Sequence, residues 1–127
     1  MNKTWMAVLA VFLCVFAPVQ AYALNEEEKI TMLIESIRDT PEGTHFIRNG
    51  KAYDVADAVS HLNLKYSKAK SKATTAEEFI KHIASGSSVS GEAYLIRYPD
   101  GTAVTAAVFF TERLRGLEGE KPLRKTI

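Results

Sequence analysis

Few side chains in this sequence are of types that do chemistry, and they gather in short stretches. His61 has Asp57 one helical turn before it and Lys65 one turn after it. A helix through this stretch would carry a carboxylate, an imidazole and an ammonium along one flank. Beside an apolar stripe, His61 reads as a polar rim facing a cleft, or as a boundary histidine with its ring half packed. Arg48 and Lys51 flank Asn49-Gly50. Like charges facing each other across a hairpin repel. Such a pair either holds an anion or carboxylate between them or spreads into water.

The remaining candidates lie in Ser85-Gly86-Ser87-Ser88-Val89-Ser90-Gly91, with Tyr94 just beyond. A nucleophilic serine needs a base oriented by a third group. His61 is the base this pattern offers, and no Gly-x-Ser-x-Gly elbow is present. A phosphate cradle is disfavoured, because the loop follows a helix C-terminus and anions prefer N-termini. The plain reading is a turn rich in side chain to backbone hydrogen bonds. His45 and His82 stand apart from His61 and from each other. Scattered histidines without i, i+4 pairing do not make a zinc site, so neither a metal nor another cofactor is expected.

The elements that must position these residues can be read in order. Asn25 with Glu28 forms a capping box, followed by Ile30, Leu33, Ile34 and Ile37 as one helical stripe. Thr44 to Arg48, Asn49-Gly50, and Lys51 to Asp54 make a hairpin with a type I′ turn, which pairs Arg48 with Lys51 and Phe46 with Tyr53. Asp54 caps a second helix bearing Val55, Ala58, Val59, Leu62, Tyr66 and Ala69. Lys65 to Lys72 reads as a basic, Ser-containing connection. Thr75 with Glu78 opens a third helix, with Gly86 at its expected C-terminal cap. Ala93 to Tyr98 alternates as a strand, Pro99-Asp100-Gly101 turns the chain, and a short strand surrounds Val104. A last helix spans about Ala106 to Leu117. The order α-ββ-α-α-ββ-α predicts a single small α+β domain over 24–119, with 120–127 as a flexible tail.

Composition bounds the rest. The chain has 127 residues, 46% apolar and 24% charged, which is the balance of one globular domain. Residues 1–23 read as a signal peptide: Lys3, an apolar stretch from Met6 to Val19, then Ala21-Tyr22-Ala23. The stretch is short for a bilayer span, and cleavage before Leu24 leaves no stable membrane insertion. Cleavage after Ala21 and an uncleaved anchor are the alternatives. Cys14, the one cysteine, has Leu13 before it rather than the small residue that lipidation requires, so the mature chain carries no thiol. Without Lys3, basic and acidic residues balance at fifteen each. A neutral chain has no electrostatic footprint for nucleic acid.

Several blocks in order resemble the YfeK-like proteins, small exported bacterial proteins built on a domain of unknown function. They are Phe46-Ile47-Arg48-Asn49-Gly50, Ala58-Val59-Ser60-His61-Leu62, Thr75-Ala76-Glu77-Glu78-Phe79-Ile80, and Ala84 to Gly91 followed by Tyr94. That family often has Pro before the corresponding Tyr, where this chain has Ala93. The resemblance implies a periplasmic protein and assigns no catalytic residue. Ser90-Gly91-Glu92-Ala93-Tyr94 also resembles the Ser-Gly-x-x-Tyr segment of periplasmic lysozyme inhibitors.

The expected function is a non-enzymatic binding module for an envelope protein or cell-wall component, with Arg48, Lys51, His61, Ser87, Ser88, Ser90 and Tyr94 as its site. The alternatives are a small hydrolase using His61 with a loop serine, or a lysozyme-inhibitor-like protein. If the elements share one core, Arg48, His61 and Ser88 converge on one rim. Oligomeric state is left open.

Overall fold

The computed structural model describes residues 24–119; the signal-peptide and tail readings lie outside the described residues. The helix α1 spans Glu26–Glu35 and tightens into a 3-10 turn over Ser36–Asp39. Strands β1 (His45–Arg48) and β2 (Lys51–Tyr53) follow, then α2 (Val55–Lys68). A 3-10 turn at Lys70–Lys72 leads into α3 (Ala76–Phe79), which widens into a π-helical turn over Ile80–Ala84. Strands β3 (Leu95–Arg97) and β4 (Ala103–Thr105) and helix α4 (Ala106–Leu117) complete the domain. The order is the α+β order read from the sequence.

Each helix start is fixed by a side chain that accepts from an otherwise unpaired first-turn amide. Asn25 accepts from Glu28 N–H, Asp54 from Asp57, Thr75 from Glu78 and Thr105 from Val108. The apolar stripes then meet in one core. Leu33, Leu62, Phe79, Ile96 and Phe110 are all completely buried in it. Edge-on contacts run from Tyr66 to Phe79, from Phe79 to Phe110 and from Phe110 to Phe109.

The two hairpins form one antiparallel sheet of order β2-β1-β3-β4, joined through β1 and β3. Phe46 faces Tyr53 and Arg48 faces Lys51 on one side, while Phe46 faces Ile96 on the other. Extending the β1–β3 register by one pair sets Arg48 opposite Tyr94. Phe46, Arg48, Tyr53, Lys51 and Tyr94 therefore share the sheet face that the helices cover.

The hairpin turn has positive φ at both central residues, 51° at Asn49 and 74° at Gly50, as a type I′ turn demands. Nothing lies within 4 Å of a Cβ built on Gly50, so strain there is purely backbone. Gly50→Val is expected to destabilise the domain by roughly 1–2 kcal/mol, the cost of a side chain in the left-handed region. Denaturant unfolding checks it, and an unchanged midpoint would contradict the turn type.

Two expectations need correction. Lys65 belongs to α2, which continues to Lys68, so the basic connection is shorter than its composition suggests. Gly86 is not a left-handed helix cap. The helical segment ends at Ser85, and Gly86 pairs with Ala93 in an isolated antiparallel bridge. Glycine is required there because a Cβ would stand 2.9 Å from the backbone oxygen of Glu92.

Candidate functional site

Arg48 leaves the sheet beneath α2. Its Nη1 lies 2.8 Å from Nδ1 and 3.1 Å from Nε2 of His61, and its Nη2 donates to the Tyr53 hydroxyl at 3.1 Å. The guanidinium carbon stands 4.9 Å from the Tyr53 ring centroid, a cation over a π face. His61 Nε2 is 3.4 Å from the Tyr94 hydroxyl, and the two rings meet edge to face. The Arg48 guanidinium thus stands within donating distance of either ring nitrogen, and the tautomer sets which of them accepts.

Tyr94 is buried against Phe46, with ring centroids 5.0 Å apart. Its hydroxyl also accepts from Lys65 Nζ at 3.1 Å. The same ammonium donates to the carbonyls of Ile83 at 2.8 Å and Gly86 at 2.7 Å. Ile83 belongs to the last turn of a helix, where carbonyls lack intrahelical partners and the dipole end is negative. Lys65 thus neutralises the C-terminal end of the α3 segment and ties it to α2 and Tyr94.

Arg48, Tyr53 and His61 also line a cleft of about 250 Å³, together with Phe46, Asp57 and Ala58. The Asp57–His61 flank read from the sequence does face a cleft. Among the described residues, no carboxylate lies within 4.0 Å of Arg48, Lys51 or Lys65. Electrostatics follow from that imbalance. Partial burial, then the charges of Arg48 and Lys65, lower the pKa of His61. Burial, then Arg48, lower that of Lys65. Burial raises that of Tyr94, with Arg48 opposing. His61 is therefore a neutral hydrogen-bonding group at neutral pH.

A pH dependence follows from this. Below about pH 6.5, the ordinary histidine value, the unfolded chain takes up a proton at His61 that the folded chain resists. Stability at this site is complete above that pH and is lost as pH falls towards the depressed folded value. Denaturant midpoints measured at pH 7.5 and 5.5 are expected to fall more for the wild type than for His61→Gln. Equal losses would contradict the assignment.

The structure brings Arg48, His61 and Tyr94 together and adds Tyr53 and Lys65. Tyr53 is half-buried beside Arg48, a placement that the hairpin register foreshadowed. Lys51 and Arg48 both stand over the Tyr53 ring. The Lys51 ammonium lies 5.4 Å from the Tyr53 centroid, and Arg48 also turns to His61.

None of the serines is among the residues that line the cleft. Ser87 Oγ accepts from the amides of Val89 and Ser90, so it holds the loop's own turn. Ser90 Oγ donates to Asn49 Oδ1 at 2.6 Å, pinning the loop to the hairpin turn. Ser88 is exposed and makes no side-chain hydrogen bond among the described residues. The hydrolase arrangement is not formed, since the His61 nitrogens face Arg48 and Tyr94 rather than a serine. In Ser90-Gly91-Glu92-Ala93-Tyr94 the first four residues are exposed and the Tyr94 side chain is buried.

Comparison with known proteins finds similarity in sequence. Over 94 residues the chain is 37% identical to the "Uncharacterized protein YfeK" of Salmonella typhimurium, covering 74% of this chain and 77% of that protein. No solved structure matches. A family described as "Family of unknown function (DUF5329)" matches residues 24–118, which takes in every element from α1 to α4. The chain belongs to that family of YfeK-like domains of unknown function.

Proposed function

We propose that this is an exported, non-enzymatic binding module of the bacterial cell envelope, which takes an anionic group of an envelope protein or cell-wall component into the Arg48 cleft. The observation that carries the reading is the guanidinium itself. Arg48 is half-buried at a cleft wall, and its hydrogen bonds go to a neutral imidazole and a phenol. No carboxylate among the described residues lies within 4.0 Å of it. A partly desolvated cation with no carboxylate in direct contact favours an anion supplied from outside. Export rests on the sequence: Lys3, the apolar stretch and Ala21-Tyr22-Ala23.

The test is made on periplasmic material. Intact mass is expected to give a chain beginning at Leu24. Amide resonances of Arg48, Tyr53 and His61 are expected to shift on addition of soluble cell-wall fragments or of a partner captured by crosslinking, and Arg48→Gln is expected to lose those shifts. A membrane-bound species retaining Met1 would end the export reading. Shifts that survive in Arg48→Gln would end the cleft reading.

A further inference from the structure

We propose that the Arg48 cleft receives the C-terminal carboxylate of a peptide whose last residue is apolar. The inference rests on the anion-binding reading above and names the chemistry of the ligand. Three features select it.

The first is size. A cleft of about 250 Å³ is smaller than the roughly 300–1,000 Å³ of a site that encloses a drug-sized ligand. It has room for a terminal group of a ligand rather than for a whole one. That is one terminal residue with its carboxylate, the rest of the chain lying outside.

The second is the donor set. Arg48 has five N–H groups, and His61 and Tyr53 take one each. Three remain to donate, and a guanidinium can meet a carboxylate through two parallel hydrogen bonds. His61 and Tyr53 fix the plane of the guanidinium, so less side-chain entropy is lost when the ligand arrives.

The third is the wall. Phe46, Tyr53 and Ala58 present ring and methyl surface, which suits an apolar side chain. Asp57 lines the same cleft, and its carboxylate opposes a second negative charge. That repulsion is greater for a phosphate dianion than for a monoanion attached to an uncharged amide, so the cleft prefers the monoanion.

The probes are N-acetyl-Ala-Leu as the free acid, the same dipeptide as its C-terminal amide, N-acetyl-Ala-D-Leu, and inorganic phosphate. Each is titrated into the mature protein and followed by the amide resonances of Arg48, Tyr53 and His61. The free acid is expected to saturate, with the C-terminal amide at least tenfold weaker and phosphate without effect at the same concentration. Arg48→Gln is expected to abolish the response and Arg48→Lys to reduce it while keeping the preference for acid over amide. Preference for the L-form indicates a protein C-terminus as the source. Preference for the D-form indicates a wall peptide.

Equal binding of acid and amide overturns the proposal, as does full affinity in a folded Arg48→Gln protein. If phosphate or wall fragments shift these resonances and the dipeptide acid does not, this inference falls and the anion-binding reading stands. If none of the anions shifts them, both fall.

Discussion

Replacing Lys65 with Met is expected to destabilise the domain by about 2–4 kcal/mol, because it removes one charged donor from three acceptors at a half-buried site. The ammonium donates to the Ile83 carbonyl, the Gly86 carbonyl and the Tyr94 hydroxyl. Hydrogen bonds from a charged donor are each worth about 1.5–3 kcal/mol, and an unsatisfied buried acceptor costs about 1–3 kcal/mol. Water that reaches the half-buried site recovers part of this. Methionine keeps the length and apolar stem of lysine, so the measured loss belongs to the ammonium rather than to packing.

The charge has a second role, as a counter-charge to the negative end of the α3 segment. Placing it between two carbonyls and a phenol stabilises it, although burial and Arg48 lower its pKa. Denaturant unfolding of the Lys65→Met protein measures the effect. A loss below about 0.5 kcal/mol, the size of an ordinary surface substitution, would show that Lys65 is only a surface lysine.

What the sequence made legible was what has a local cause. The Asn-Gly turn fixes a two-residue loop, and the loop fixes the register, so Arg48 opposite Lys51 and Phe46 opposite Tyr53 could be read directly. Caps at Asn25, Asp54 and Thr75 follow the same logic, one side chain and one nearby amide. The pairing of β1 with β3 has no such signal, because it joins segments separated by two helices. Arg48's turn towards His61 depends on that pairing and on the seating of α2 above it, and neither can be read from the Arg48-Lys51 neighbourhood.

Lys65 was obscured by its neighbours. A run containing Lys68, Lys70 and Lys72 has the composition of a solvated connection, and the one lysine that faces inward is distinguished only by its position one turn after His61. Ser88 illustrates the opposite error. Its type suggested chemistry, while Ser87 and Ser90 needed their hydroxyls to shape the loop and Ser88 stayed in solvent. Gly86 was recognised as a required glycine, with the wrong cause assigned to it. After a helix, a cap and a close backbone approach call for the same residue, and the sequence does not distinguish them.

The difference becomes measurable at Gly86 itself. If Gly86 were a left-handed cap, alanine would carry only the backbone penalty of positive φ. Its φ lies outside that region, so the penalty comes from contact instead. A Cβ at this position would meet the Glu92 carbonyl oxygen at 2.9 Å and the Glu92 carbonyl carbon at 3.5 Å. These are backbone atoms and cannot swing aside like a side-chain tip. Any relief must open the Gly86–Ala93 bridge. That bridge is bounded by Tyr94 N–H to the Ser85 carbonyl at 3.0 Å and Ser87 N–H to the Glu92 carbonyl at 2.9 Å.

Gly86→Val adds two further methyl groups to the same contact and is expected to cost about 2–3 kcal/mol, the upper part of the usual overpacking range. The site should register the change as well as the fold. Opening the bridge moves the Gly86 carbonyl from Lys65 and loosens Tyr94, whose hydroxyl meets both Lys65 and His61. Amide resonances of His61 and Arg48 are therefore expected to shift in Gly86→Val, although the substitution touches neither residue. Gly50→Val provides the control, since it strains the hairpin turn through φ alone with open space around the new Cβ. If Gly86→Val leaves the denaturant midpoint and the His61 resonance where they are, the close approach at Glu92 does not hold the loop against the cleft.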